Sequence, residues 1–178
     1  MKILLHACCA VCSGYPIELL RSLGYEPLVY FFNPNIQPID EYNRRLDELI
    51  RYSRKKQFEL IIETDKPGGW RECIKGLENE PERGKRCIKC FEYRLNAAAK
   101  KAKDLKICQY TTTLTVSRHK ISKDIFAAGK KAADICGVEF LEIDFKKKDG
   151  FLKTMQIAKE ENFYRQTYCG CRLHQQET

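Results

Sequence analysis

The 178-residue sequence has no long apolar run, which excludes a membrane-spanning helix. No stretch approaches the ~20 consecutive apolar residues that such a helix needs. Only three apolar residues in a row, Ile3 to Leu5, precede the first cysteines, too few for the hydrophobic region of a signal peptide. We therefore expect a cytoplasmic protein with no membrane partner.

The glycine patterns that hold nucleotide phosphates are also missing. The sequence has no G-x-x-x-x-G-K-[ST] and no G-x-G-x-x-G, patterns that follow the first strand in nucleotide-binding α/β proteins. Cysteines occupy that loop instead. We expect no use of ATP or NAD.

Cysteine, by contrast, is abundant and clustered. Seven of the ten cysteines form three groups: Cys8, Cys9 and Cys12; Cys87 and Cys90; and Cys169 and Cys171. In a reducing compartment such clusters indicate metal binding or catalysis and not a disulfide framework. We predict that the fold gathers them round a soft metal. Cys108 and Cys136, in apolar surroundings, are expected to be buried.

Apolar, β-rich segments alternate with helical patterns along the chain. The predicted strands are 3–5, 28–32, 58–64, 107–114 and 138–144, and the predicted helices 16–23, 42–57, 87–103, 122–136 and 150–162, with a short helix and loop over 70–86. This alternation predicts one α/β domain over residues 1–178. We expect a mainly parallel sheet with helices on both faces, a Rossmann-like three-layer sandwich.

In parallel α/β sheets ligands bind beyond the carboxyl ends of the strands. The unusual residues of this chain follow its predicted strands: the first cysteine group, Asn33 to Asn35, Asp65, Thr111 to Thr115, and Asp144. We therefore expect them at one edge of the sheet. His6, Asp65 and Asp144 are candidate proton donors, although core packing or capping is an equal alternative. His119 is expected near phosphate and His174 on the surface.

Cys87 and Cys90 form a C-x-x-C at the start of a predicted helix, where exposed N–H groups favour thiolates. The pair fits half a zinc site, a redox pair or two ligands of a cluster. With Cys8 and Cys9 it supplies the four thiolates of a [4Fe-4S] cluster. Cys12 can replace either early thiol or hold an additional iron, and a structural zinc site stays open.

Cys169 and Cys171 are too close in sequence for easy chelation of one metal. With Gly170 between them they can close a small, strained disulfide, which suits the transfer of two electrons. Tyr164 and Tyr168 indicate that this tail packs on the domain. We predict a redox-active pair, with metal ligation or a tail without function as the alternatives.

The charge balance favours a polyanionic partner. There are 32 basic and 24 acidic residues, a net charge of +8. Lysine and arginine bind the phosphates of nucleic acids favourably, because counterions are released. RNA is the partner that this excess suits.

Five ordered motifs together resemble the QueH family of epoxyqueuosine reductases. They are LLHACCAVCS at 4–13, FNPNI at 32–36, EPERGKRCIKCF at 80–91, TTTL at 111–114 and YRQTYCGC at 164–171. They span nearly the whole chain. The family pattern has proline where Val11 and Arg118 stand. We therefore expect the rigidity of those two loops to differ from that in the rest of the family.

The resemblance implies a fold similar to the HUP group and the removal of the epoxide oxygen from epoxyqueuosine at the tRNA wobble position. It implies that Cys8, Cys9, Cys87 and Cys90 hold a [4Fe-4S] cluster. It further implies that Cys169 and Cys171 are the catalytic redox pair, resupplied by an external electron donor. The alternatives are a cysteine-dependent tRNA sulfur-transfer enzyme and a non-catalytic, zinc-stabilised RNA-binding module.

Overall fold

The computed structural model describes residues 1–171, so His174 lies outside the described part of the chain. In chain order the elements are β1 (Lys2–His6), α1 (Ala10–Ser22), β2 (Glu26–Phe31), α2 (Ile39–Lys56), β3 (Leu60–Ile62), α3 (Gly69–Cys73), α4 (Lys85–Asp104), β4 (Gln109–Thr112), α5 (Ser122–Cys136), β5 (Glu139–Phe140) and α6 (Gly150–Glu160). A 3-10 turn, Thr113–Val116, follows β4. Within the described part of the chain, no helix is long and apolar enough to cross a membrane.

The five strands form one parallel sheet in the order β3-β2-β1-β4-β5. Side chains of β1 alternate between two cores, as they must in a strand covered on both faces. Ile3 and Leu5 pack with α1, α2 and α6, and Leu4 packs with α4 and α5. The predicted three-layer sandwich is therefore confirmed. The strand order reverses between β1 and β4, and such a reversal opens a crevice beyond the carboxyl ends of the two strands.

Helix α1 begins six residues before the predicted start at Pro16, at Ala10. Its N-cap is Cys9, whose thiol accepts from the backbone N–H of Cys12 at 3.5 Å. Serine, threonine, aspartate and asparagine are the usual caps, so the sequence carried no ordinary start signal. Pro16 lies inside the helix and lacks an N–H, so the carbonyl of Cys12 has no helical donor.

The two edge strands are shorter than predicted, although single backbone hydrogen bonds continue just beyond them, such as that from Leu141 to Tyr110 at 2.8 Å. Leu141 and Ile143 contact the core after β5 has ended. Of the two cysteines expected to be buried, Cys136 is buried, whereas Cys108 is exposed just before β4.

The approach of α5 to β5 gives a stability prediction. A Cβ on Gly129 would lie 2.6 Å from ring carbons of Phe140. We expect Gly129→Ala to lower the free energy of unfolding by about 1–3 kcal/mol through overpacking, although alanine is the better helix former by about 1 kcal/mol. Urea unfolding followed by circular dichroism measures this. The control is Ala127→Gly at an exposed position of the same helix, and a more stable Gly129→Ala variant would contradict the prediction.

Candidate active site

The loop between β1 and α1 brings three thiols together. The sulfur atoms of Cys8, Cys9 and Cys12 all lie within 4.8 Å of one another, with 3.7 Å between those of Cys8 and Cys9. The backbone N–H of Cys8 donates to Oγ1 of Thr113 at 3.3 Å, and the Thr113 hydroxyl donates to Sγ of Cys8 at 3.6 Å. The turn after β4 therefore fixes the loop after β1.

Hydrogen bonding gives the three thiols different pKa values, because Cys9 and Cys12 both donate to Cys8. Donation from Cys12 and Cys9 lowers the pKa of Cys8 well below its usual value, against the effect of burial. The bond with Cys12 lowers the pKa of Cys9, but its bond to Cys8 and burial together raise that pKa to about 12. Bonds to both neighbours raise the pKa of Cys12. Cys8 is thus the thiol that ionises first, as a metal ligand must.

Two cations face this thiol group. Burial opposes the charge of Lys120, but the thiols of Cys169 and Cys8 favour it more strongly and raise the pKa of Lys120. Arg94 is fully buried and donates to Oδ1 of Asn33. Both cations also lower the pKa of Cys8. The site is therefore built to hold negative charge.

Helix α4 supplies the second cysteine group. Arg86, Cys90 and Arg94 follow one another at intervals of four, so they share one face of the helix. Sγ of Cys87 accepts from the backbone N–H of Arg83 at 3.3 Å. Cys90 is buried beside Trp70, and this burial raises its pKa to about 11.

Residues 163–171, which we name the C-terminal strap, carry the third group across the carboxyl edge of the sheet. Nε2 of Gln166 donates to Sγ of Cys9 at 3.1 Å. The Tyr168 hydroxyl donates to the carbonyl of Gln37 at 2.6 Å. Arg45 donates to the carbonyls of Tyr168 and Cys169 at 3.1 and 3.0 Å. The prediction that this tail packs on the domain is confirmed.

All three cysteine groups meet at a cavity of about 420 Å³ beyond the ends of β1 and β4. The cysteines that line it are Cys8, Cys12, Cys87, Cys169 and Cys171. Cys90 lines an adjoining pocket that shares Cys87, Cys169 and Cys171, and Cys9 is buried next to Cys8. The predicted convergence of distant thiols is present in the structure.

The three acid–base candidates do not line this cavity. His6 is fully buried; its Nε2 lies 3.2 Å from the carbonyl of Phe32 and its Nδ1 lies 2.8 Å from the Thr112 hydroxyl. A carbonyl only accepts, so Nε2 carries the proton and Nδ1 accepts from Thr112. Burial lowers the pKa of His6 to about 3. His6 is therefore a neutral core residue that ties three strand ends together.

Asp65 and Asp144 have structural partners elsewhere. Asp65 accepts from the backbone N–H of Trp70 at 2.7 Å and from the Tyr93 hydroxyl at 2.6 Å, so it caps α3. Asp144 lies 3.6 Å from the ammonium of Lys146. Capping, the alternative for such residues, applies to Asp65.

Sequence reasoning missed the polar residues that surround the thiols, above all Lys120, Arg94 and Arg45. A signal existed for Arg94, because it lies four residues after Cys90 on a helix and so faces the same way. Lys120 lies in the loop between the 3-10 turn and α5, and Arg45 contacts the strap from α2. No local sequence pattern predicts either contact.

The chemistry of the donors fits a soft metal. Three sulfur atoms already lie at mutual distances short enough to share one metal centre, and further thiols line the same cavity. Thiolates select zinc, copper(I) or iron–sulfur clusters over hard cations. The structure thus defines a parallel α/β protein with a thiol-rich, cation-balanced cavity at its topological switch point.

Comparison with known proteins defines the family. The profile described as "Epoxyqueuosine reductase QueH" matches residues 3–177. A protein of Histophilus somni with that name is 39% identical over 96% of this chain and 70% of its own length. The Acinetobacter baylyi protein of the same name is 38% identical over 96% of this chain and 78% of its length. The chain belongs to the QueH family.

Two solved structures share the fold at low sequence identity. A predicted tRNA methyltransferase subunit from Methanocaldococcus jannaschii has a TM-score of 0.62 and 12% identity, covering 94% of this chain and 93% of its own. The U34-tRNA thiolase NcsA from Methanococcus maripaludis, solved with its [4Fe-4S] cluster, has a TM-score of 0.61 and 13% identity, covering 97% of this chain and 62% of its own. At these identities the likeness establishes the fold alone.

The strap gives a prediction about Gly170. Its φ of +134° belongs to glycine, and a Cβ there would lie 3.0 Å from both Nδ2 of Asn35 and Cγ1 of Ile36. We expect Gly170→Ala to loosen the strap by about 1–3 kcal/mol, seen as faster hydrogen exchange across residues 163–171. The control is Gly76→Ala, at φ +80° with open space around the Cβ. Unchanged strap protection in Gly170→Ala would contradict this account.

Proposed function

We propose that this protein is an epoxyqueuosine reductase that removes the epoxide oxygen from epoxyqueuosine at the tRNA wobble position. The observation that carries the proposal is the meeting of three cysteine groups at one cavity in a chain of the QueH family. The net charge of +8 suits a tRNA substrate. A reducing, cytoplasmic setting fits as well, because it keeps the thiols available.

The ligands that we assign to a [4Fe-4S] cluster are Cys8, Cys9, Cys87 and Cys90. The low pKa of Cys8 favours the thiolate form that iron needs. Sγ of Cys12 lies within 4.8 Å of those of Cys8 and Cys9, so Cys12 is the candidate for an additional iron. When bound, such a cluster supplies electrons one at a time.

The reaction balances with the groups that line the cavity. Converting the epoxide to an alkene breaks two C–O bonds, consumes two electrons and two protons, and releases water. Closing a disulfide between Cys169 and Cys171 provides two electrons and two protons. An external donor, a dithiol or a low-potential electron carrier, then reduces that pair again.

The cavity also holds a proton near the thiols. Its thiol-lined end is covered by the C-terminal strap, which Arg45 and Gln166 hold in place. Lys120 lines this cavity with a raised pKa, so its ammonium keeps a proton at Nζ. Among the candidates for protonating the leaving oxygen, Lys120 is better placed than His6, Asp65 or Asp144.

Metal analysis of anaerobically purified protein tests the cluster. We expect a brown protein with about four iron atoms per chain, and loss of both colour and iron in Cys87→Ser, because one thiolate ligand is removed. Cys108→Ser is the control, since that thiol is exposed and has no place in the cavity. A colourless protein with stoichiometric zinc would support a structural zinc site and contradict the proposal.

The redox pair is tested by turnover with a dithiol donor. We expect Cys169→Ser and Cys171→Ser each to lower the rate by about tenfold or more, because neither variant can close the disulfide. A tenfold loss corresponds to a barrier that is about 1.4 kcal/mol higher. Both variants are assayed again with an excess of a one-electron donor. Full turnover under that condition would place the dithiol outside the electron path.

A further inference from the structure

The lining of the large cavity is chemically mixed. The lining includes the thiols and a set of apolar side chains, which are Val11, Leu114, Val116, Phe151 and Met155. The remaining charged lining residues are Glu82, Arg86, Arg94, Arg118, Lys120 and Arg165. Five of these six side chains are cationic. The cavity is therefore suited to an anionic ligand that also presents an apolar face.

One of these cations is oriented by an aromatic ring. The guanidinium carbon of Arg118 lies 3.8 Å from the ring centroid of Phe151, and Arg118 is exposed to solvent. A guanidinium stacked on a ring keeps its N–H groups directed outward in its own plane, where they can donate to phosphate oxygens. Phe151 thus presents a preorganised phosphate donor in the lining of the cavity.

Some cations of this protein are paired with a carboxylate, and others have no such partner in the described part of the chain. The paired cations include Lys56, with Glu161 at 3.6 Å, and Lys131, with Glu92 at 2.8 Å. Within residues 1–171, Arg118 and Arg165 form no ion pair with a carboxylate. Arg165 is also exposed. At these two solvent-facing guanidinium groups, no carboxylate of residues 1–171 would thus compete with an anionic ligand.

We propose that Arg118, held on Phe151, and Arg165 form a clamp for the RNA backbone phosphates beside the nucleotide whose base enters the cavity. The identification of the polyanion as RNA rests on the proposed function. The clamp suits a single-stranded loop, whose bases turn out of the stack and pack on guanidinium planes and aromatic rings. The apolar side chains of Val11 and Met155 extend that packing surface inward.

Binding of a fluorescently labelled tRNA anticodon stem–loop, measured by anisotropy over a series of salt concentrations, tests the clamp. We expect Arg118→Gln to weaken binding about threefold to tenfold near 50 mM salt. The slope of log affinity against log salt should fall by about 0.7, the value for one phosphate contact on single-stranded nucleic acid. Visible absorption and circular dichroism confirm that each variant is folded and loaded.

Two further variants separate the charge of Arg118 from its orientation, and a third serves as a control. Arg118→Lys and Phe151→Leu keep the charge but lose the stacked geometry, so we expect weaker binding with an unchanged salt slope. Arg54→Gln removes an equally exposed arginine from the far end of α2, and we expect it to bind like the wild type.

The outcomes also separate the clamp from the function on which it rests. If Arg118→Gln binds as tightly as the wild type and with the same salt slope, the clamp is overturned and the reductase proposal stays in place. An equal loss of slope in Arg54→Gln also overturns it, because the effect is then one of net charge. Failure of the wild type to bind the stem–loop at any salt concentration overturns both.

Discussion

The site depends on one buried charge, the guanidinium of Arg45. Its Nε donates to Glu41 at 2.7 Å, and its two Nη atoms donate to strap carbonyls. The other oxygen of Glu41 accepts from the Tyr164 hydroxyl at 3.0 Å. A buried ion is tolerated only when its hydrogen bonds are complete, so helix α2 and the strap must be in place together. The third cysteine group therefore has a defined position only in the complete fold.

The balance of charge round the thiols follows the same rule. Cys8 ionises readily because two neighbouring thiols donate to it and because Lys120 and Arg94 lie near. A cluster of thiolates without such cations would repel itself in a buried site. The cations in turn are stabilised by the thiols, as the raised pKa of Lys120 indicates. The acidity of Cys8 and the charge of Lys120 thus depend on each other.

The layers of the sheet, the grouping of the cysteines and the packing of the tail could all be predicted, because each rests on a periodic or repeated signal. The start of α1 could not, because its cap is a thiol and its proline lies in the helix interior. For His6 the sequence left core packing and proton donation as equal alternatives, and the structure shows core packing. Its partners, Phe32 and Thr112, come from two other strand ends. Such tertiary hydrogen bonds leave no local pattern.

The order of residues along the strap has a consequence for biogenesis. A ribosome delivers the strap after every other part of the cavity, and domains begin to fold while synthesis continues. The first two cysteine groups can therefore come together while the third is still being made. During that interval the thiols of the first two groups lack the cover that the strap provides in the finished fold. Hydrogen bonding of Arg45 to the two strap carbonyls would then be the last step in assembling the cavity.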